Sequence, residues 1–264
     1  MDVFQQKTKI LQYETVQEFL RDFTFQKKDY ILASRSIYEA FFRDSTGRAS
    51  IAFHSDYGQG EPDDRMLDAM LKDMREKQPE RIIAIGGGSV IDCAKLFVLE
   101  GTASAEDMFL HRCTPEKSRE LIAIPTTCGS GSEVSRISIC ELTSLHTKLG
   151  LAVDALYPDQ AVLIPELLSK LPFFYFVTSG IDALIHASES FVSPKSNAYT
   201  RMFSAEAIRL LLHGFQVIAK EGEDARMRLL GDFMQAATLR ASHLAIPVQV
   251  QYMPSAIRYR ESTM

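Results

Sequence analysis

The chain has 264 residues and a formal net charge of −5, with 46% hydrophobic and 24% charged residues. These values are typical of a globular protein with a full core, built as one large or two ordinary domains. The negative charge argues against nucleic acid or a membrane surface as a general partner. No segment approaches a membrane span, the N-terminus lacks a leader pattern, and the four cysteines show no Cys-x-x-Cys spacing. We therefore expect a cytoplasmic protein with reduced thiols.

The first part of the chain alternates short apolar runs with segments of helical periodicity. One helix begins with a capping-box pattern, in which Thr15 is followed three residues later by Glu18. Such alternation predicts an α/β fold with a doubly wound parallel sheet, in which ligands bind at the carboxyl ends of the strands. The predicted strands lie at 9–12, 30–33 and 49–54, and the predicted helices at 15–23, 36–42 and from 62 onward.

The segment 81–95, RIIAIGGGSVIDCAK, has the pattern of a buried strand, a glycine turn and a helix start. Gly86, Gly87 and Gly88 lack a Cβ atom, so the backbone there can turn sharply and approach a ligand. We expect Ser89 to cap the helix or to reach a phosphate oxygen, and the first helical amides to attract an anion. The alternative is that the glycines only pack the helix against the sheet.

A second loop rich in hydroxyl groups follows the predicted buried strand 121–125. Its sequence, TTCGSGS at 126–132, supplies side-chain donors and backbone amides suited to phosphate or ribose contacts. A flexible connection is the alternative. The segments 134–140 and 148–153 then predict a β-hairpin that brings Lys148 toward a bound anion.

The chain becomes almost wholly helical in pattern from residue 165, and we place a domain boundary near 157. In the predicted helix 176–191, Asp182 and His186 are four residues apart and lie on one face. Such a pair can ligate a divalent metal, although an ordinary helical Asp–His pair is the alternative. The apolar character of this helix favours a pair that faces a cleft.

Four segments resemble the iron-containing alcohol dehydrogenase family: GGGSVIDCAK, PTTCGSGSEV, the lysine of HTKLG, and SGIDALIHASESFVS. The resemblance implies a dinucleotide-binding α/β domain over 1–157 and an all-α metal-binding domain over 158–264. It implies NAD, with NADP left open, and Fe²⁺, with Zn²⁺ left open. The implied cofactor-binding residues are Gly87, Gly88, Ser89, Asp92, Thr126, Thr127, Ser130 and Lys148, and the implied metal ligands are Asp182 and His186.

The resemblance also implies a reaction. A metal would polarise an alcohol oxygen and hydride would pass to the nicotinamide, with 4-hydroxybutyrate and succinate semialdehyde as the expected substrate pair. No catalytic acid or base is identified. The resemblance further implies a homo-oligomer for full-length members of the family. Two alternatives stay open: a nucleotide-binding remnant without redox activity, and, by fold analogy alone, a lyase of the dehydroquinate synthase type.

The sequence departs from the family pattern after the second predicted strand. Many members have an aspartate there that contacts the adenosine ribose, whereas this chain has Ala33, Ser34 and Arg35. An arginine at this place could accept a 2′-phosphate, which is why NADP stays open.

The second departure is the end of the chain, where the family's two remaining histidine ligands are expected. The tail has no helical period, but a shifted reading frame permits GAGAVHAISYPL, which resembles that histidine segment. We therefore interpret the tail from about residue 245 as a frameshifted reading and the helical domain as truncated. Sequencing the encoding DNA tests this. Truncation predicts an unstable or inactive chain with exposed apolar side chains at Leu210, Leu211, Phe215, Leu229 and Phe233.

Overall fold

The structure, a computed structural model, describes residues 5–58 and 60–241. The interpretation of the tail from about 245 therefore lies outside the described residues. The strands are β1 (Lys9–Gln12), β2 (Asp29–Ala33), β3 (Ser50–Phe53), β4 (Arg81–Gly86), β5 (Glu120–Pro125), β6 (Ile137–Leu142), β7 (Thr147–Ala152) and β8 (Gln160–Leu163). The helices are α1 (Val16–Asp22), α2 (Arg35–Phe41), α3 (Asp64–Lys77), α4 (Gly88–Phe97), α5 (Ala105–Phe109), α6 (Phe173–Val192), α7 (Ala198–Glu221) and α8 (Leu230–Ala241).

Six strands form one parallel sheet in the order β1-β8-β5-β4-β2-β3, which confirms the predicted α/β fold. The central strand β4 is buried from Ile82 to Gly86, because helices cover both of its faces. The last strand of the sheet, β8, lies beyond the predicted boundary at 157. The change from strands to helices thus comes at Pro165, where a short 3-10 segment begins.

The order of the strands reverses between β2 and β4. The chain runs outward from β2 to β3 and then returns to β4, which pairs with the other side of β2. Helices α1 and α2 pack on one face of the sheet, and α3 and α4 pack on the other. Such a reversal opens a crevice at the carboxyl ends of the two strands, where ligands bind in folds of this kind.

The start of helix α4 differs from the prediction at one residue. Gly87, in an extended conformation, is the N-cap, and the helix begins at Gly88. Ser89 is therefore inside the first turn and does not cap the helix, because the chain enters the helical conformation earlier than the serine suggests. At α1 half of the predicted capping box forms: the amide of Glu18 donates to Thr15 Oγ1 at 3.2 Å, and the Glu18 carboxylate accepts from Glu14.

The β6–β7 pair is antiparallel and confirms the predicted hairpin, with its first strand starting three residues later than expected. Its register joins Ile137 to Ala152 and Leu142 to Thr147. The hairpin packs against α4, so it stands beside the glycine turn at the carboxyl edge of the large sheet.

Helices α6, α7 and α8 pack on one another, and the expected exposure of their apolar residues is wrong. Leu210, Leu211, Leu229 and Phe233 are buried and Phe215 is partly buried. Phe233 inserts between α6 and α7, with ring centroids 4.6 Å from Phe176 and 5.2 Å from Phe215. The large exposed side chains of α6 are Phe174, Tyr175, Ile181, Ile185, Phe191 and Val192.

Helix α7 is long and apolar enough to cross a membrane, by length and composition alone. This departs from the expectation, drawn from the sequence, that no segment approaches a membrane span. The buried apolar residues of the helix, Ala207, Leu210, Leu211 and Ile218, belong to the cluster shared with α6 and α8. That packing accounts for part of the apolar stretch, since 33% of it is buried.

Candidate functional site

A cleft of about 1060 Å³ opens at the carboxyl edge of the large sheet. The glycine turn, the second loop and the hairpin form one side of it, and α6 with the start of α7 forms the other. Gly87 and Thr126 are the predicted residues that do not line it, although each directly precedes one that does. The predicted site residues that line the cleft are Gly88, Ser89, Asp92, Thr127, Ser130, Lys148, Asp182 and His186.

The two predicted nucleotide loops touch each other. A Cβ atom placed on Gly88 would lie 2.7 Å from Ser130 Oγ, and one placed on Gly87 would lie 3.1 Å from Thr127 Cγ2. The amide of Thr126 donates to the carbonyl oxygen of Gly86 at 3.0 Å. Glycine at 88 is therefore required by the close approach of the loops, which brings the first amides of α4 next to the hydroxyl groups of the second loop.

The second loop is also fixed to the helical side of the cleft. A Cβ atom on Gly129 would lie 3.1 Å from the carbonyl oxygen of Ser179, and the Cys128 thiol lies 3.8 Å from that of Phe176. Gly131 has φ of +58°, a conformation that favours glycine, and it packs against the backbone of Ala237. Close contacts on both sides leave this loop little freedom, contrary to the alternative of a flexible connection.

Arg240 is a cleft residue that sequence reasoning missed. Its guanidinium donates to the carbonyl oxygen of Gly129, at 3.2 Å from Nε and 3.1 Å from Nη2, and also to that of Ser130. Burial lowers its pKa, although Asp182 and Glu133 oppose that shift. Nothing in the sequence indicated this contact, because Arg240 belongs to no recognisable motif and its partners Gly129 and Ser130 are 111 and 110 residues earlier in the chain.

Lys95 and Glu133 are buried charged residues with hydrogen-bond partners, and neither was identified from the sequence as a site residue. Lys95 Nζ contacts Ser132 Oγ at 2.6 Å and Asp92 Oδ1 at 3.2 Å. Burial lowers the pKa of Lys95, and the Asp92 carboxylate opposes this. Burial raises the pKa of Glu133, which accepts a hydrogen bond from Thr238 at 2.7 Å. The sequence could have predicted the ion pair, since Asp92 and Lys95 are three residues apart in a helix whose other residues are mostly apolar.

The carboxylate of Asp92 accepts hydrogen bonds from three other residues of the protein. Besides Lys95, it accepts a hydrogen bond from Ser132 Oγ and one from the amide of Ile139 at 3.2 Å. It thus joins α4 to both the second loop and the hairpin while lining the cleft.

The Asp182–His186 turn lies on the opposite wall. His186 Nε2 is 3.4 Å from Asp182 Oδ1, and Nδ1 is 3.3 Å from Glu189 Oε2. The side chains of Asp182 and His186 are 53% and 46% exposed. The hydrogen bond with His186 lowers the pKa of Asp182. The pair faces the cleft, as expected, but is also open to solvent.

These residues do not make up a metal site by themselves. Catalytic zinc sites use three protein ligands and structural ones use four. Within the described ranges, no group of three or more His, Cys, Asp or Glu side chains is placed to hold a metal ion. Asp182 and His186 supply two donors that suit Fe²⁺ or Zn²⁺, which is an incomplete set.

Two further predicted cations already have partners. Lys148 forms an ion pair with Glu61 at the cleft. Arg35 lies 2.5 Å from Asp56 Oδ1, and its guanidinium carbon is 4.0 Å from the centre of the Phe53 ring. The positive charge of Arg35, just after β2, is thus paired with the carboxylate of Asp56, which lies in the short turn after β3.

Comparison with known proteins gives two family matches. Residues 8–165 match the iron-containing alcohol dehydrogenase model, and residues 176–247 match the model of the C-terminal part of the Fe-containing alcohol dehydrogenase family. The 4-hydroxybutyrate dehydrogenase of Clostridium kluyveri is 44% identical over 225 residues, which are 85% of this chain and 61% of that protein. A long-chain primary alcohol dehydrogenase of Thermoanaerobacter ethanolicus is 34% identical over 170 residues, 62% of this chain and 43% of that protein.

Solved structures show the same fold. A sulfoacetaldehyde reductase from Bifidobacterium kashiwanohense, in complex with NAD⁺, superposes with a TM-score of 0.78 at 22% identity, covering 92% of this chain and 68% of that one. An iron-containing alcohol dehydrogenase from Thermococcus thioreducens superposes with a TM-score of 0.74 at 26% identity, covering 91% and 67%. The chain spans less than two thirds of the length of the curated relatives it matches.

Proposed function

Because the chain belongs to the iron-containing alcohol dehydrogenase family, we propose that its cleft binds NAD for hydride transfer from an alcohol to NAD⁺, or from NADH to the corresponding aldehyde. One observation carries this proposal: the glycine turn after β4 and the second loop after β5 meet at the carboxyl edge of the sheet, and the Asp182–His186 turn lines the same cleft. A dinucleotide held by the two loops would have the Asp–His turn on the wall opposite its binding loops.

Each loop has a distinct role in the proposed complex. The amides of Gly88 and Ser89 begin a helix and would bind the pyrophosphate, with the hydroxyl of Ser89 beside them. Thr127 and Ser130 would donate from the second loop. The hydrogen bond from the Thr126 amide to Gly86 joins the two backbones, and Gly87 lies close to Thr127. Asp92 and Lys148, which also line the cleft, complete the proposed nucleotide site. NAD itself supplies the hydride-accepting chemistry.

NAD is favoured over NADP by the charge at the end of β2. A free arginine there would attract a 2′-phosphate, but Arg35 is paired with Asp56. The added 2′-phosphate would meet the Asp56 carboxylate as well as the guanidinium.

The proposed substrates are 4-hydroxybutyrate and succinate semialdehyde, on the strength of the relative at 44% identity. Asp182 and His186 would contribute two donors to a divalent metal. Because the described residues supply no third donor, no metal-assisted step is derived from them. The same observation favours a second candidate function for these residues, which is nucleotide binding without turnover.

A titration of the purified chain with NADH, followed by nicotinamide fluorescence, tests the proposal. We expect saturable one-to-one binding that is unchanged by EDTA, since no proposed nucleotide contact involves the metal donors. NADPH should bind more weakly. Absence of NADH binding would contradict the proposal.

The two candidate functions separate in a second assay. NADH formation from 4-hydroxybutyrate, measured with added Fe²⁺ or Zn²⁺, distinguishes a dehydrogenase from a binding protein. Binding without turnover supports the second candidate. Metal-dependent turnover supports the first and would refute the expectation that this chain is inactive.

A further inference from the structure

Lys95 is a lysine with no exposed surface, and its ammonium group is surrounded by oxygen atoms. Nζ lies 2.6 Å from Ser132 Oγ, 3.0 Å from Ser135 Oγ and 2.6 Å from the carbonyl oxygen of Ile137. Asp92 Oδ1, at 3.2 Å, supplies the countercharge. Burial of a charge without such partners is costly, so these contacts are needed to keep the ammonium ionised.

The oxygen atoms come from separate parts of the cleft wall. Asp92 is on α4, one turn before Lys95. Ser132 and Ser135 belong to the end of the second loop, and Ile137 begins the hairpin strand β6. One ammonium group thus fastens the helix that follows the glycine turn to the two other segments on its side of the cleft.

A contribution to folding stability does not by itself explain why a buried lysine is present at position 95. Apolar residues of similar volume often replace buried ion pairs with little loss of stability, or with a gain. An apolar side chain of the same length would fill the space, but it would not fix where the second loop sits relative to α4. The ammonium group does fix it, because each of its hydrogen bonds has a defined direction.

We propose that Lys95 is a positioning residue that sets the separation of the glycine turn and the second loop, and thereby the affinity for the dinucleotide. This inference rests on the proposed function, since it assumes that the ligand spans both loops. Lys95 itself does not line the cleft, so its effect on the ligand is transmitted through Ser132 and Asp92.

The test compares Lys95→Met with Arg81→Met. Methionine keeps the unbranched shape of lysine, is one atom shorter, and removes the charge. Arg81 is a matched control because it forms a buried ion pair with Asp29 at 2.7 Å, at the amino end of β4 and so at the opposite edge of the sheet. Calorimetric titration with NADH, below the unfolding temperature of each variant, gives both stoichiometry and Kd.

Positioning and folding have different signatures in this titration. We expect Lys95→Met to bind NADH at least tenfold more weakly with unchanged stoichiometry, and Arg81→Met to keep its Kd within twofold. A purely structural role would lower the stoichiometry or the unfolding temperature and leave Kd unchanged, which would overturn the inference. If wild type does not bind NADH, the proposed function itself has failed.

If Lys95→Met does not fold, a pair of less disruptive variants tests the positioning role of Lys95. Ser135→Ala removes one oxygen from the ammonium, whereas Ser138→Ala removes a buried hydroxyl that donates to the carbonyl oxygen of Asp92 at 2.9 Å. Weaker NADH binding by Ser135→Ala but not by Ser138→Ala supports positioning by Lys95. Equal affinities of the two variants overturn it.

Discussion

The two walls of the cleft are built differently. On the sheet side, two loops touch through glycine, and buried charges such as Lys95 and Glu133 hold them in place. On the helical side, Asp182 and His186 are about half exposed, and among the described ion pairs His186 contacts only the partly or largely exposed carboxylates of Asp182 and Glu189. The difference teaches that buried contacts fix the two loops on the sheet side, while the two proposed metal donors on the helical side are open to solvent.

The helical side nonetheless has a core of its own, and the largest expected effect breaks it. Phe233→Ala should lower the free energy of unfolding by about 3–5 kcal/mol, because the ring is fully buried between α6 and α7. Urea denaturation measures the change. Phe174→Ala is the control, since that ring is 70% exposed, and its effect should stay within about 0.5 kcal/mol. Similar losses in the two variants would contradict the packing.

An intermediate effect tests the contact between the two loops. In Gly88→Ala the new Cβ atom would lie 2.7 Å from Ser130 Oγ, and overpacking of this kind costs about 1–3 kcal/mol. We expect NADH to bind roughly tenfold more weakly, because the clash would push apart the two loops proposed to contact it; a factor of ten in Kd corresponds to about 1.4 kcal/mol. Fluorescence titration measures it. Gly231→Ala, whose Cβ would meet only Pro165 at 3.8 Å, should keep wild-type affinity, and equal weakening there would argue against a local clash.

The smallest expected effect concerns the exposed pair. The folded pKa of Asp182 lies below its ordinary value of 3.8 because of the hydrogen bond with His186. The ionised carboxylate therefore stabilises the fold above pH 3.8, and this stabilisation is lost as the pH falls through the folded pKa. Asp182→Asn should lower the free energy of unfolding at pH 6 by at most about 0.5 kcal/mol after solvent screening.

Urea denaturation of wild type and Asp182→Asn at a series of pH values checks this prediction. The difference between the two proteins should shrink as the pH falls below 3.8. A loss near that of Phe233→Ala would show that the pair is part of a buried network, whereas a difference that grows toward acid pH would contradict the lowered pKa of Asp182.

The sequence predicted the elements of the sheet well, because each buried strand is a continuous apolar run and each following turn is marked by glycine or hydroxyl residues. It also placed Ser130 and Asp182 among the site residues, and both line the cleft. It failed where the answer depends on neighbours in space. Ser89 was expected to cap a helix that Gly87 caps, and β8 was left out of the sheet because its pairing with β1 and β5 joins distant segments.

The sequence by itself determined the family, the parallel sheet, the two loops and the Asp–His turn, since all of these are written in local spacing and composition. Only the tertiary structure decided that Gly88 touches Ser130, that Lys95 is buried among oxygen atoms, and that Phe233 is covered and not exposed. The physical reason is that burial and close approach are properties of pairs of segments far apart in the chain. No local pattern of residues records which partner each segment meets.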